Sequence, residues 1–224
     1  MDQRTKNKLI LKYGHSYFLL RAHMLARRIK DCYHCPKPAK HIIFGQNNQL
    51  LNVPDSCLVT IFGNNNKIYF SPSIKSWSGR ITIGGDSETI VNNCTVYIGE
   101  NSGSNGTSIF LCEHGSSVKI GNNCMFSWGI EFWASDTHSI YSSDTKKLLN
   151  WGNEIVVEDR VWIGMHACIL KNSHVAHDSI VGAHTVVAKK FTEPHCVIAG
   201  NPARVVKTGI SWSKARPNDY NPAT

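Results

Sequence analysis

The residues best suited to acid–base chemistry cluster in Trp133-Ala134-Ser135-Asp136-Thr137-His138-Ser139-Ile140-Tyr141. An imidazole is the natural general base near neutral pH. The chain has eleven histidines, so position has to choose among them. His138 lies in a stretch where a regular aliphatic spacing fades after Phe126 and returns only at Val157. An insertion between regular elements is where function tends to sit. Asp136 and Glu131 are candidates to orient the ring and raise its basicity, a task a backbone carbonyl performs equally well. Cys32-x-x-Cys35, with His34 between and His41 nearby, resembles half a zinc site. No second ligand pair follows, so no metal is expected.

The elements that must position His138 show in the spacing itself. From Val157 in steps of six the chain reads Val157, Ile163, Ile169, Val175, Val181 and Val187. Val and Ile together are 36 of 224 residues, so six such hits have a chance of about 10⁻⁵ in any one frame. The fifth places hold Val161, Ala167, Ser173, Ser179, Thr185 and Phe191, mostly small. A period of six is neither helix nor simple strand. It fits a triangular coil of three short strands, eighteen residues per circuit, with aliphatic rows stacked into a continuous core. Looser hexads begin at Ile83, Ile98 and Ile120, and Cys94 and Cys112, eighteen apart, are expected to stack on successive circuits. Asn- and Gly-rich runs at 63–66 and 92–93 suit corners with positive φ.

These readings divide the chain. Residues 1–41 form a basic extension, helical over 3–30. Residues 42–210 form the solenoid domain, its coils spanning about 42–203 with a catalytic loop near 131–156. Residues 211–224 form an irregular tail. The formal charge of +8 arises in the extension, where ten Lys or Arg in residues 1–40 face Asp2 and Asp31. Such a head suits an anionic polymer or a membrane surface. Nucleic acid is not expected, because aromatic interleaving is sparse. No apolar run reaches the length of a membrane span, and the N-terminus lacks an export signal. The cysteines are therefore expected reduced and the protein cytoplasmic, or peripheral at the inner face of the membrane.

Val161-Trp162-Ile163-Gly164, the hexads through Lys190 and Ala199-Gly200-Asn201-Pro202-Ala203-Arg204 resemble the hexapeptide-repeat acyltransferases. The loop around His138 is similar to that of bacterial O-acetyltransferases that modify capsule or lipopolysaccharide sugars, including polysialic acid. The resemblance implies an all-β left-handed parallel β-helix, a homotrimer, and acetyl-CoA as donor to a polysaccharide hydroxyl. It implies His138 as base and Trp162, twenty-four residues on, as a functional tryptophan. It places the donor along Gly164, Met165, Gly182, Ala183, Ala188 and Lys189, with Arg204 and Lys207 at the nucleotide end and Lys190 an alternative phosphate contact.

Two other classes remain open on sequence. A non-catalytic solenoid would bind glycan without turning over a donor. A zinc lyase of the γ-carbonic-anhydrase type would share the solenoid, but it needs a His-x4-His pair. His166, His174, His177 and His184 are separated by eight, three and seven.

Overall fold

In the computed structural model, residues 41–85, 89–152 and 154–221 are described. The expected basic helix, Cys32 and Cys35 lie outside them. The described chain forms a parallel β-helix of triangular section. The first face stacks β1 (His41–Phe44), β3 (Cys57–Phe62), β5 (Trp77–Ile83), β7 (Gly103–Leu111), β10 (Ile130–Trp133), β13 (Cys168–Leu170) and β16 (Val186–Val187). The second holds β9 (Met125–Phe126), β12 (Trp162–Ile163), β15 (Ile180–Val181), β18 (Val197–Ala199) and β19 (Arg204–Lys207). The third holds β2 (Gln49–Leu51), β4 (Lys67–Phe70), β6 (Thr95–Ile98), β8 (Ser117–Ile120), β11 (Glu154–Val157), β14 (Ser173–Val175) and β17 (Lys190–Phe191). Strand β7 turns a corner: Gly103 and Ser104 pair with β9, and Thr107–Phe110 pair with β10.

The core follows the hexads. Val157, Ile163, Ile169, Val175, Val181 and Val187 are all buried, and so are the six fifth-place residues from Val161 to Phe191. Each coil alone would leave this aliphatic row in water, so stacking supplies the stability. Wider coils at the N-terminal end take larger groups, where Trp77 packs edge-on to Phe70 and Phe126.

Register shows where the chain departs from eighteen. His41 pairs with Val59 and Ile169 with Val187, both at that offset. Val59 to Ile81 is 22, Ile81 to Ile109 is 28 and Ile109 to Phe132 is 23. The extra residues sit at corners and leave the inward row intact. They also displace the expected cysteine pair: Thr95 pairs with Lys67 and Ser117, so Cys94 stacks between Asn66 and Ser116. Cys112 follows Leu111, whose partner is Ile83. The eighteen-residue spacing of the two cysteines was coincidental, because that circuit is longer.

Corners are closed by side chains that replace missing backbone partners. Asn92 Oδ1 accepts the Asn64 amide at 2.7 Å, and Asn64 Oδ1 accepts the Gln46 amide at 2.8 Å. Asp159 Oδ1 accepts the Asn122 amide at 2.7 Å. Asn65, Asn93, Asn123, Arg160, His166, Asp178 and His184 all take positive φ at such turns. Asparagine tolerates that region best among side-chain-bearing residues, which is why these runs are rich in it. The last strand, β19, runs antiparallel to β18 and ends the parallel stack. The tail from Ser211 contains one 3₁₀ turn, Pro217–Asp219, and is exposed along its described length except at Trp212, which is buried.

Candidate active site

The one large excursion of the lower coils carries His138. Phe132 pairs with Ile169 at an offset of 37, nineteen beyond the regular circuit. Residues 131–133 belong to β10 and 154–157 to β11, so the excursion spans 134–153 and is narrower than the 131–156 expected. The core does not stop at Phe126, as Ile130, Phe132 and Ala134 are fully buried. Phe126 to Phe132 keeps the six-residue step of Ile163 to Ile169 on the next coil, and the hexad was hidden because Phe stands where the row is otherwise Val or Ile.

The loop is tied down along its length. Ser135 Oγ donates to Glu113 Oε1 at 2.6 Å and accepts the Thr137 amide at 2.8 Å. Thr137 takes a φ of 63°, and His138 follows it in an exposed turn. Asp136 Oδ2 meets Lys171 Nζ at 2.7 Å and accepts Asn150 Nδ2 at 2.8 Å. The same Asn150 nitrogen donates to the His138 carbonyl oxygen at 2.8 Å, while Asn150 Oδ1 accepts the Ile140 amide at 2.9 Å. Lys171 also donates to the Asn150 carbonyl. Beyond His138 the chain forms a small hairpin, with Tyr141 bridged to Leu148.

His138 is exposed, and its ring makes no hydrogen bond or ion pair among the described residues. Neither expected orienting acid holds it. Glu131 Oε2 accepts Trp133 Nε1 at 2.9 Å. For Asp136, partial burial pushes its carboxyl up, but hydrogen bonds from Lys171 and Asn150 outweigh this and hold it below the usual carboxylate range.

The other expected residues fall on different edges. Trp162 stands on β12 facing outward and half exposed. Gly164 and Met165 turn the corner from second to first face, and Gly182 and Ala183 occupy the same corner one coil on; Gly164 N bonds to Val181 O and His184 N to Met165 O. A Cβ at Gly164 would stand 2.7 Å from Ala183 N, so the coils touch there only because no side chain intervenes. Ala188 and Lys189 turn the corner from first to third face, beneath Lys171 and the His138 loop, and Lys190 begins β17. The Lys189 ammonium lies 5.2 Å from the Phe191 ring centre. Arg204 and Lys207 are exposed on β19. Within one chain, then, the anchors of His138 share a corner with Ala188 and Lys189, whereas Trp162, Gly164, Met165, Gly182 and Ala183 line another.

Sequence reasoning missed Glu113, Asn150, Lys171 and Trp212. Trp212 packs on Trp162 with ring centres 6.2 Å apart and donates from Nε1 to Arg160 O at 2.6 Å. Arg160 also pairs with Asp178 at 2.6 Å. The histidines weighed as zinc ligands are dispersed. His166 stacks on His184 at 5.0 Å at one corner, and His174 meets Glu158 at 2.7 Å on the third face. His177, Asp178 and His195 bring three ligating atoms within 4.8 Å at a third corner. Asp178 is engaged by Arg160 and His177, and His195 Nδ1 by Ile210 O, which serves to hold the tail. No helix among the described residues is long and apolar enough to cross a membrane.

No family model matches the chain. Individual relatives do. The polysialic acid O-acetyltransferase of Neisseria meningitidis is 31% identical over 187 residues, 75% of this chain and 86% of that protein. The polysialic acid O-acetyltransferase of Escherichia coli O1:K1 is 32% identical over 98 residues, covering 44% of this chain and about a third, 32%, of the relative. Among solved structures, the polySia-specific acetyltransferase NeuO superposes with a TM-score of 0.62 at 25% identity, covering 79% of this chain and 83% of that one. The polysialic acid O-acetyltransferase OatWY gives 0.58 at 28% identity, covering 80% and 94%. The coil is thus the left-handed parallel β-helix of these neighbours. With that fold, that loop and a relative matched over most of its length, the chain belongs to the hexapeptide-repeat acetyltransferases, in the group of the polysialic acid O-acetyltransferases.

Proposed function

We propose that the protein transfers the acetyl group of acetyl-CoA to a hydroxyl of an acidic bacterial surface polysaccharide, with a sialic acid polymer as the first acceptor to test. The reading rests on one observation: an excursion of the coil presents the His138 ring, without a hydrogen bond among the described residues, on a loop whose backbone is fixed at both sides. A base must be free to accept a proton and held where the proton will be. His138 accepts the sugar hydroxyl proton as the oxygen attacks the thioester carbonyl, then returns it to the departing thiolate. The transfer is direct, with no acetyl-enzyme and no metal.

The donor's pantetheine arm would run along a coil edge, where Gly164, Met165, Gly182 and Ala183 keep the surface low. Lys189 or Lys190, Arg204 and Lys207 would meet its phosphates. Because the His138 corner and the Trp162 edge are separate corners of one prism, a complete site needs two copies of the chain, which suits a homotrimer. Trp162, steadied by Trp212, then forms the wall against donor or acceptor. The basic residues of 1–40 would concentrate an acidic acceptor near the site. The same residues suit an anionic membrane surface, and a cytoplasmic location fits a cytoplasmic donor.

Free thiol release from acetyl-CoA, measured across acidic and neutral polysaccharides, tests the reading. Acceptor-dependent release by the wild type that disappears in His138→Ala is expected. Donor binding with no release on any glycan sinks the acceptor class, and no donor binding leaves the scaffold reading.

A further inference from the structure

We infer that Asn150 and Lys171 are positioning residues for His138, setting the base through its backbone instead of through a carboxylate on its ring. The inference deepens the reading of His138 as general base and rests on it.

The amide of Asn150 has two N–H groups and one carbonyl oxygen, and all three are engaged across the His138 turn. Nδ2 donates to Asp136 Oδ2 and to His138 O, each at 2.8 Å, and Oδ1 accepts from Ile140 N at 2.9 Å. One side chain thus fixes the residue two before the base, the base's own peptide and the residue two after it. Lys171 ties this clamp to the solenoid. It follows Leu170, which is in register with Trp133, so it lies directly beneath the first residues of the loop. Its side chain is only 11% exposed, and its ammonium reaches Asp136 on the outgoing limb at 2.7 Å and Asn150 O on the return limb. A nearly buried ammonium is retained only with such partners.

The pattern accounts for two facts together. Asp136 sits two residues from the base yet has its carboxylate turned to Lys171 and Asn150, and the ring of His138 has no hydrogen-bond partner among the described residues. Direction must then come from the peptide frame, and Asn150 is what holds that frame. Since Asn150 bonds only to the loop and touches no part of the ring, it governs where the proton acceptor stands.

The test is steady-state acetyl transfer by full-length Asn150→Asp, in the wild-type and His138→Ala backgrounds, with both KM values measured. Aspartate keeps the shape of asparagine, removes both donated bonds and faces Asp136 with a like charge. A displacement of the base of about 1 Å should lower kcat by roughly 100-fold. The KM for acetyl-CoA should stay within about twofold, as expected for an interaction made in the transition state. In the His138→Ala background the same change should remove nothing further from the residual rate. Asp136→Asn, which retains the loop's bonds but weakens the Lys171 pair, should give a smaller fall in kcat, and Lys171→Arg should restore more of it than Lys171→Met. Wild-type kcat in a folded Asn150→Asp overturns the inference, as does an equal loss with and without His138. If Asn150→Asp does not fold, Asp136→Asn and the Lys171 pair carry the same test. Full activity in His138→Ala would instead overturn the general-base reading beneath it.

Discussion

The indoles of Trp162 and Trp212 meet with centroids 6.2 Å apart and planes tilted by 48°. The contact joins the second face of the coil to the chain's tail. It is held by reciprocal bonds, Trp212 Nε1 to Arg160 O at 2.6 Å and Arg160 Nη2 to Trp212 O at 3.2 Å. Replacing Trp212 with alanine removes an aromatic neighbour worth about 0.5–1.5 kcal/mol. Trp212→Ala should therefore lower kcat/KM by up to about tenfold, through Trp162, on that same figure. Tryptophan fluorescence and transfer kinetics on the one variant check this; an unchanged rate with an altered spectrum would separate the tail from the site.

His138 is exposed and its ring makes no hydrogen bond or ion pair among the described residues. His138→Ala should reduce turnover by about 10²–10⁴-fold, the range for a lost general base. Surface changes of this kind usually alter stability by less than about 0.5 kcal/mol, so the melting temperature should hold. Calorimetry beside the thiol-release assay decides it.

Ile169 is fully buried, stacked between Phe132 on one coil and Val187 on the next. Ile169→Ala opens a void in a row that cannot collapse without breaking register. It should cost about 2–5 kcal/mol, read as a lower urea midpoint. A loss under about 1 kcal/mol would mean that the row is not packed as described.

Burial pushes the thiols of Cys57 up to about 12 and of Cys94 and Cys124 to about 11. In the unfolded chain a thiol ionises near 9, so between 9 and 11–12 the folded state holds more protons than the unfolded one. The stability these groups contribute is complete below pH 9 and is lost as pH rises through that window. The melting temperature should fall above pH 9, less steeply in Cys57→Ala. Disulfide reagents at pH 8 should leave all three unmodified until unfolding.

Much of the lower solenoid was readable because residues from Val157 to Val187 keep an uninterrupted six-residue step. The upper coils hid theirs. Offsets of 22, 28 and 23 shift the phase at corners while the inward residues stay aligned, so the eye loses a frame that the hydrogen bonds keep. His138 stood out as an interruption. Its supports did not, for Ser135 with Glu113 and Lys171 with Asn150 are brought together by coil stacking. Their separations along the chain depend on how many residues each intervening corner happens to contain. Trp212 had no periodic signal at all, because it docks from outside the repeat.

The nineteen surplus residues between β10 and β11 leave both neighbouring registers undisturbed: Trp133 still meets Leu170, and Ile155 still meets Val118 and Ser173. Mechanically, the prism does not register what hangs from that corner. The stack can therefore carry an insert of this length without losing register, while Lys171 and Glu113 of the coils hold the insert in place. The loop is a cartridge: a short turn of the kind at Lys171–Asn172 in its place should leave a solenoid that still closes but no longer carries His138, and the same socket has room for a different insert.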